Sequence, residues 1–321
     1  MKILILGLGV IGTTYGFVFQ KKGYQVKHLV RDSKKDAIPS ELSVHILDGR
    51  KNKKGLECSD FYNVFLARSN EEYDFIIVSV SCGKLDEAIS TLREKNIRGT
   101  LLLFCNFWNT REEIERMVEG YQYIIGFPTA GGRMAERELH CVLFDHITLE
   151  HKEKTNIKNY NEIEAVFLSA DIKTEKPHDM VEWIWIHMAV NAGVVMTATK
   201  DGNIDNPAQL AIDLMDSSKA LSNAVMLIRE TTCIVAARSV ELKYYHNEIS
   251  PYKFPAKLAG IAMKRLFKNN ELTRRIMTLH NGVDDILFGC ASLYETGKQL
   301  NISAPLYYSK YELVQSNVAI G

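Results

Sequence analysis

The chain alternates short apolar runs with amphipathic stretches through its first half and turns helical in its second. Ile3–Leu6 is a four-residue apolar run, the pattern of a strand buried on both faces of a parallel sheet. A helix follows through Phe19, and Tyr24–Val30 reads as a second strand. Ser43–Leu47, Phe75–Val80, Thr100–Cys105 and Tyr123–Phe127 read as further strands, with helices over Asp86–Arg93 and Arg111–Val118. Pro128–Gly132 breaks the alternation, after which Cys141–Phe144 and His146–Leu149 read as strands of a closing meander, and Ile163–Ala170 as a helix. From Pro177 onward helical periodicity dominates: a long apolar helix over Met180–Thr199, further helices within Ala208–Ser239 and Pro255–Leu266, and another over Val283–Leu300. Together with the glycine-spaced turn Gly7–Gly12 between the first strand and the first helix, the pattern predicts an α/β fold: an N-terminal Rossmann dinucleotide-binding domain over residues 1–172, then an all-helical C-terminal domain over 173–321, a candidate for substrate binding and dimerisation. The apolar spine helix is compatible with a homodimer.

Between the first strand and first helix lies Gly7-Leu8-Gly9-Val10-Ile11-Gly12, a G-x-G-x-x-G turn. Gly7 suits a tight turn, Gly9 a close approach of pyrophosphate, and Gly12 close packing of helix on strand. The helix start offers unpaired N–H groups to phosphates. The second strand ends at Arg31-Asp32. A guanidinium there suits a 2′-phosphate and favours NADP(H), whereas Asp32 keeps NAD(H) open, and Arg31 also reads as a solvated strand-end charge. Asn106, at another strand end, suits a nicotinamide or substrate contact, or equally a turn cap.

Composition narrows the field. Lys plus Arg and Asp plus Glu number 39 each, so no overall field draws the chain to nucleic acid or an anionic membrane. Met1-Lys2 runs straight into the first strand, which leaves no room for a leader, and the longest apolar stretch, Met188–Thr199, is too short to span a bilayer. The six cysteines show no C-x-x-C and no paired histidine spacing, an argument against zinc and for reduced thiols in a cytoplasm. His187 and Asn191 are one turn apart and share a helix face, fit either to protonate and hold a carbonyl oxygen or to serve as core polar residues. Trp183 and Trp185 read as packing residues, and Asp284 and Asp285 as first-turn acids.

Taken together, these segments resemble the ketopantoate reductase (2-dehydropantoate 2-reductase) family. The opening Gly7–Gly12 with Tyr15-Gly16 is similar to that family's opening, and Arg31 falls on its 2′-phosphate arginine. Asn106 matches a strand-end asparagine. Trp185–Asn191 resembles the W-x-K-x-x-x-N signature, and Gln299–Pro305 a late H-G-I-x-x-P segment. Counting back from Pro305, Asp285 falls on a substrate-binding glutamate. The resemblance implies an NADPH-dependent reduction of a small-molecule 2-oxo acid, with Gly7–Gly12, Arg31, Ser81 and Asn106 toward the cofactor and His187, Asn191 and Asp285 toward the substrate. The chain departs from the family where it matters most. His187 stands for the catalytic lysine, Val195 for a second asparagine, Ser81 for another lysine, and Asp285 is a methylene shorter than glutamate. With an unperturbed pKa of about 6.5, His187 would be part-protonated near neutrality and so a candidate acid; Lys200 is a candidate substitute. Two other readings fit the same residues: an opine-type or other 2-hydroxy acid dehydrogenase, and an NADP(H)-binding sensor without catalysis.

Overall fold

The computed structural model describes the chain apart from residues 200, 280–282 and 319–321, so Lys200 lies outside the described residues. Two compact units are present, Met1–Val181 and Glu182–Gly321.

The first unit runs β1 (Lys2–Leu6), α1 (Val10–Lys21), β2 (Gln25–Leu29), β3 (Glu41–Asp48), β4 (Leu56–Asn63), β5 (Glu72–Val78), α2 (Leu85–Glu94), β6 (Arg98–Leu103) and α3 (Arg111–Met117). It continues with β7 (Tyr123–Phe127), β8 (Ala130–Ala135), β9 (Glu138–Leu143), β10 (His146–Leu149), α4 (Tyr160–Ser169) and β11 (Lys173–Glu175). Seven strands form one sheet in the order β11-β10-β7-β6-β5-β1-β2. The run from β7 to β2 is parallel throughout, and β10 joins β7 antiparallel. After β1 the chain steps outward to β2 on one side and later returns to β5 on the other. The carboxyl end of β1 therefore lies at the topological switch point, where open α/β sheets bind ligands.

The sequence pattern did not anticipate the second sheet, of order β4-β3-β9-β8. The connection from β2 to β5 supplies β3 and β4, and the one from β7 to β10 supplies β8 and β9, with β3 and β9 pairing in parallel. β4 escapes a periodicity search because every residue in it but Tyr62 is exposed. β8 begins inside the stretch where proline and glycine suggested a break. Residues of both sheets and of α1 share one core, including Ile3, Ile5, Tyr15, Phe19, Val44, Leu139 and Leu143. Lying between two sheets, α1 is buried without interruption from Gly12 to Phe19. That accounts for its weak amphipathic signal. The first unit also reaches past the expected boundary at 172, because β11 pairs in parallel with β10.

Helix α5 (Met180–Ala198) leads into the second unit, followed by α6 (Pro207–Met215), α7 (Ser218–Ala236), α8 (His246–Lys253), α9 (Ala256–Asn269), α10 (Glu271–Leu279), α11 (Val283–Gln299) and α12 (Pro305–Val318). The expected helical stretch after residue 207 is divided at Ser217, whose side chain caps α7 by accepting from the Ala220 N–H. Contrary to the sequence reading, α5 is long and apolar enough to cross a membrane, with 19 residues and a mean hydropathy of 1.2 over its best window. Of that window 56% is buried within the protein, and the helix carries Glu182, His187 and Asn191, the make-up of a core helix.

Candidate functional site

The glycine turn takes the shape its spacing implies. Gly7 sits at φ +86°, a backbone conformation that favours glycine. A Cβ on Gly12 would lie 2.3 Å from the Ile5 Cγ2, so α1 crosses β1 too closely for any side chain. A Cβ on Gly9 would meet no protein atom within 4 Å, leaving open space over the turn. Leu8, Val10 and Ile11 are part-buried and pack on the first unit's core. Gly9 is the N-cap of α1, with no side-chain cap and no acidic residue in the first turn. The first N–H groups and the positive end of the helix dipole are thus left for an anion.

What holds this turn is not visible in any local pattern of residues. His28, in the middle of β2, is fully buried, with Nδ1 2.7 Å from the Gly7 carbonyl oxygen and Nε2 2.6 Å from the Tyr62 hydroxyl. A carbonyl only accepts, so Nδ1–H is the donor, and in the neutral ring Nε2 accepts from the Tyr62 O–H. Burial lowers the His28 pKa to about 4 and raises that of Tyr62, which keeps both in these roles. The Gly7 N–H donates to the Leu29 carbonyl at 2.7 Å, so the first glycine is tied to β2 from both sides. Tyr62 reaches its place over Gly16, where a Cβ would lie 2.6 Å from its hydroxyl oxygen.

Three further candidates lie at neighbouring strand ends on the same edge. Arg31 follows β2, is exposed, and pairs with Glu87 of α2 at 2.8 Å. Asp32, the residue that kept NAD(H) open, is committed elsewhere: Lys35 lies at 2.7 Å and Lys95 at 2.5 Å, and their hydrogen bonds lower its pKa to about 2. Ser81 is exposed in the turn after β5, where its carbonyl accepts from the Lys84 N–H. Asn106 follows β6, and its backbone carbonyl lies 3.5 Å from the Cys82 Sγ. The Asn106 Oδ1 is buried and accepts no hydrogen bond among the described residues. An amide oxygen left this way is costly unless a ligand donor completes it. These residues fit a dinucleotide. By contrast, the open depressions lined by Glu72, Tyr73 and Asp74 lie at the amino ends of the strands, away from this chemistry.

In the second unit His187 and Asn191 meet as their spacing implies, with Asn191 Nδ2 2.9 Å from His187 Nε2. The amide donates, so Nε2 is the acceptor. One turn earlier Trp183 stacks on the imidazole at 5.3 Å between centroids and 11° between planes. Its indole N–H donates to Glu248 of α8. The sequence reading of a part-protonated histidine does not survive here. His187 keeps some accessible surface, yet desolvation by burial lowers its pKa to about 4. Near neutrality the ring is uncharged. Asp285 is half-buried on α11, and Val195 is half-buried one turn beyond Asn191 on α5. The side chain of Asp284 lies outside the described residues.

Residues 3–161 match the family model described as Ketopantoate reductase PanE/ApbA. The 2-dehydropantoate 2-reductase of Pyrococcus horikoshii is 23% identical over 339 aligned residues, covering 100% of this chain and 99% of that protein. Among solved structures, a ternary complex of D-mandelate dehydrogenase with NADH and anilino(oxo)acetate matches with a TM-score of 0.68 at 16% identity, covering 98% of this chain and 97% of that one. The 2-dehydropantoate 2-reductase of Methylococcus capsulatus matches with a TM-score of 0.60 at 18% identity, covering 100% and 97%. At such identities the structures speak for the fold; the family likeness rests on the glycine turn, the strand-end residues and the matched segment. Over residues 3–161 the chain is thus similar to the ketopantoate reductase PanE/ApbA family.

Proposed function

We propose that the chain is an NADP(H)-dependent oxidoreductase that interconverts a 2-oxo acid and the corresponding 2-hydroxy acid. One observation carries the reading. At the switch-point edge of the first unit's sheet, adjacent strand ends present an uncapped helix start behind a glycine turn, an exposed arginine, and the buried, unpaired Asn106 Oδ1. The turn would hold the pyrophosphate. Arg31 would take the 2′-phosphate in exchange for Glu87, and the commitment of Asp32 to two lysines leaves little to bind a ribose 2′-OH. The Asn106 Oδ1 can only accept, so it calls for an N–H donor such as a nicotinamide carboxamide. When bound, the dinucleotide supplies or takes up the hydride.

His187 and Asn191 would act on the reacting oxygen, and Asp285 would accept from a substrate hydroxyl. A histidine with a pKa of about 4 stores no proton at neutral pH. It becomes an acid once an anion beside it favours the charged ring, and a 2-oxo acid brings a carboxylate. The same residues suit a 2-hydroxy acid dehydrogenase of mandelate type, so the substrate panel must include both kinds. The test measures NADPH and NADH binding by fluorescence, then turnover on ketopantoate, phenylglyoxylate and other 2-oxo acids. Turnover with NADPH supports the reading; tight binding with no turnover on any acid replaces it with a sensor.

A further inference from the structure

On the outer face of the four-stranded sheet, opposite the face that packs on α1, His45 of β3 and His140 of β9 stand side by side. They are register partners in the parallel pair, and their rings stack at 4.8 Å between centroids and 18° between planes. Glu138 precedes His140 by two residues, so it projects from the same face, and its Oε2 lies 3.0 Å from the His140 Nε2. One ligand atom from each of the three lies within 4.8 Å of the others. On the far side of His45, Ser59 of β4 holds the Nδ1 at 2.9 Å, which fixes the ring and directs Nε2 to the remaining role.

We propose that His45, Glu138 and His140 form a binding site for a divalent transition-metal ion of the zinc class. Two imidazoles and a carboxylate are the donor set such ions take, with bonds of about 2.0–2.2 Å. Ligand atoms around a tetrahedral ion sit roughly 3.3 Å apart at those bond lengths. The Glu138–His140 separation already meets this, and small adjustments of the exposed Glu138 and half-buried His140 side chains bring them to His45, which Ser59 holds. Three protein ligands leave one position for water. The Ser59 hydroxyl is the outer-shell partner that metal-bound histidines usually have. Bound there, the ion would fasten β3 to β9, two strands from distant parts of the chain.

The test is a zinc titration by calorimetry on the full chain, with the exposed Cys58 and Cys233 changed to serine so that thiols do not compete. One equivalent should bind, magnesium should not compete, and the unfolding temperature should rise with zinc by mass action. His45→Ala and His140→Ala should each abolish that binding, and Ser59→Ala should weaken it by roughly tenfold through the misoriented ring. Cobalt in the same protein should give the visible spectrum of nitrogen and oxygen ligation. Zinc binding that persists in the His45→Ala/His140→Ala double variant, or the absence of binding in the parent, overturns the proposal.

Discussion

The glycine turn and the face of α5 are both short stretches with functional residues at telling spacings, yet they are built in opposite ways. Every key atom of the turn is fixed from elsewhere in the fold: the Gly7 N–H by Leu29, its carbonyl by His28, Gly12 by Ile5, Gly16 by Tyr62. On α5, Trp183, His187 and Asn191 follow one another at four-residue intervals and interact among themselves. The turn works by shape, which backbone conformation and close packing hold. The α5 group works by charge state, which its surroundings set and a ligand can reset. Damage to the first should appear in cofactor affinity and stability, and damage to the second in the pH dependence of the rate.

The largest effect should come from the second region. If His187 is the acid, His187→Ala should lower kcat by about 10²–10⁴-fold, the range for loss of a general acid–base group. The sharper check is the pH profile of carbonyl reduction. The acid must carry its proton, and in the free protein it loses that proton as pH rises through about 4. kcat/KM should therefore fall with rising pH from that region, whereas kcat should hold to higher pH because bound substrate raises the pKa. Coincident profiles for wild type and His187→Ala would remove the residue from the mechanism.

His28 links the first region to stability. Its folded pKa is depressed from 6.5 to about 4, so the unfolded chain takes up the extra proton first. Its share of stability is whole above pH 6.5 and drains as the pH falls toward 4, a loss of about 3 kcal/mol for a fully buried group. Urea unfolding across that window should show the slope, and His28→Gln, which cannot titrate, should flatten it. His28→Ala should also weaken NADPH binding, because the Gly7 carbonyl loses its donor. If His28→Ala binds NADPH as wild type does, the turn does not depend on β2 as argued.

Gly12→Ala tests close packing alone. A methyl group 2.3 Å from Ile5 Cγ2 forces α1 away from β1, at a cost of about 1–3 kcal/mol for an overpacked contact. NADPH affinity should fall with it, while the pKa of His187 stays where it is. A simultaneous shift in the His187 titration, read by NMR, would break the contrast between the two regions.

The same contrast explains what could be read from the sequence. The parallel strands, the turn and the asparagine at the end of β6 were legible, because buried runs and glycine spacings are local marks. So was the meeting of His187 with Asn191, since one helical turn fixes it. The second sheet was not: β4 is nearly all exposed, and β8 starts among glycines. With that sheet hidden, so was the grouping of His45 with His140, whose alignment depends on the β3–β9 register. His28 looked like one more residue of an apolar strand, and only its two partners, at Gly7 and Tyr62, give it a role. The charge of His187 was misjudged because a spacing says nothing about desolvation.

Arg31 should give the smallest effect, and it asks how far shape governs the first region. Its guanidinium is exposed and paired with Glu87, so the gain from a 2′-phosphate is offset by that exchange and screened by solvent. Arg31→Ala should weaken NADPH about tenfold, near 1.4 kcal/mol, and leave NADH nearly unchanged. Glu87→Gln should act the other way, freeing the arginine and tightening NADPH relative to NADH. Both responses should shrink as salt is raised, unlike the loss in Gly12→Ala. An equal loss for both dinucleotides in Arg31→Ala would mean that Arg31 supports the turn's shape and that cofactor choice is made elsewhere on this sheet edge.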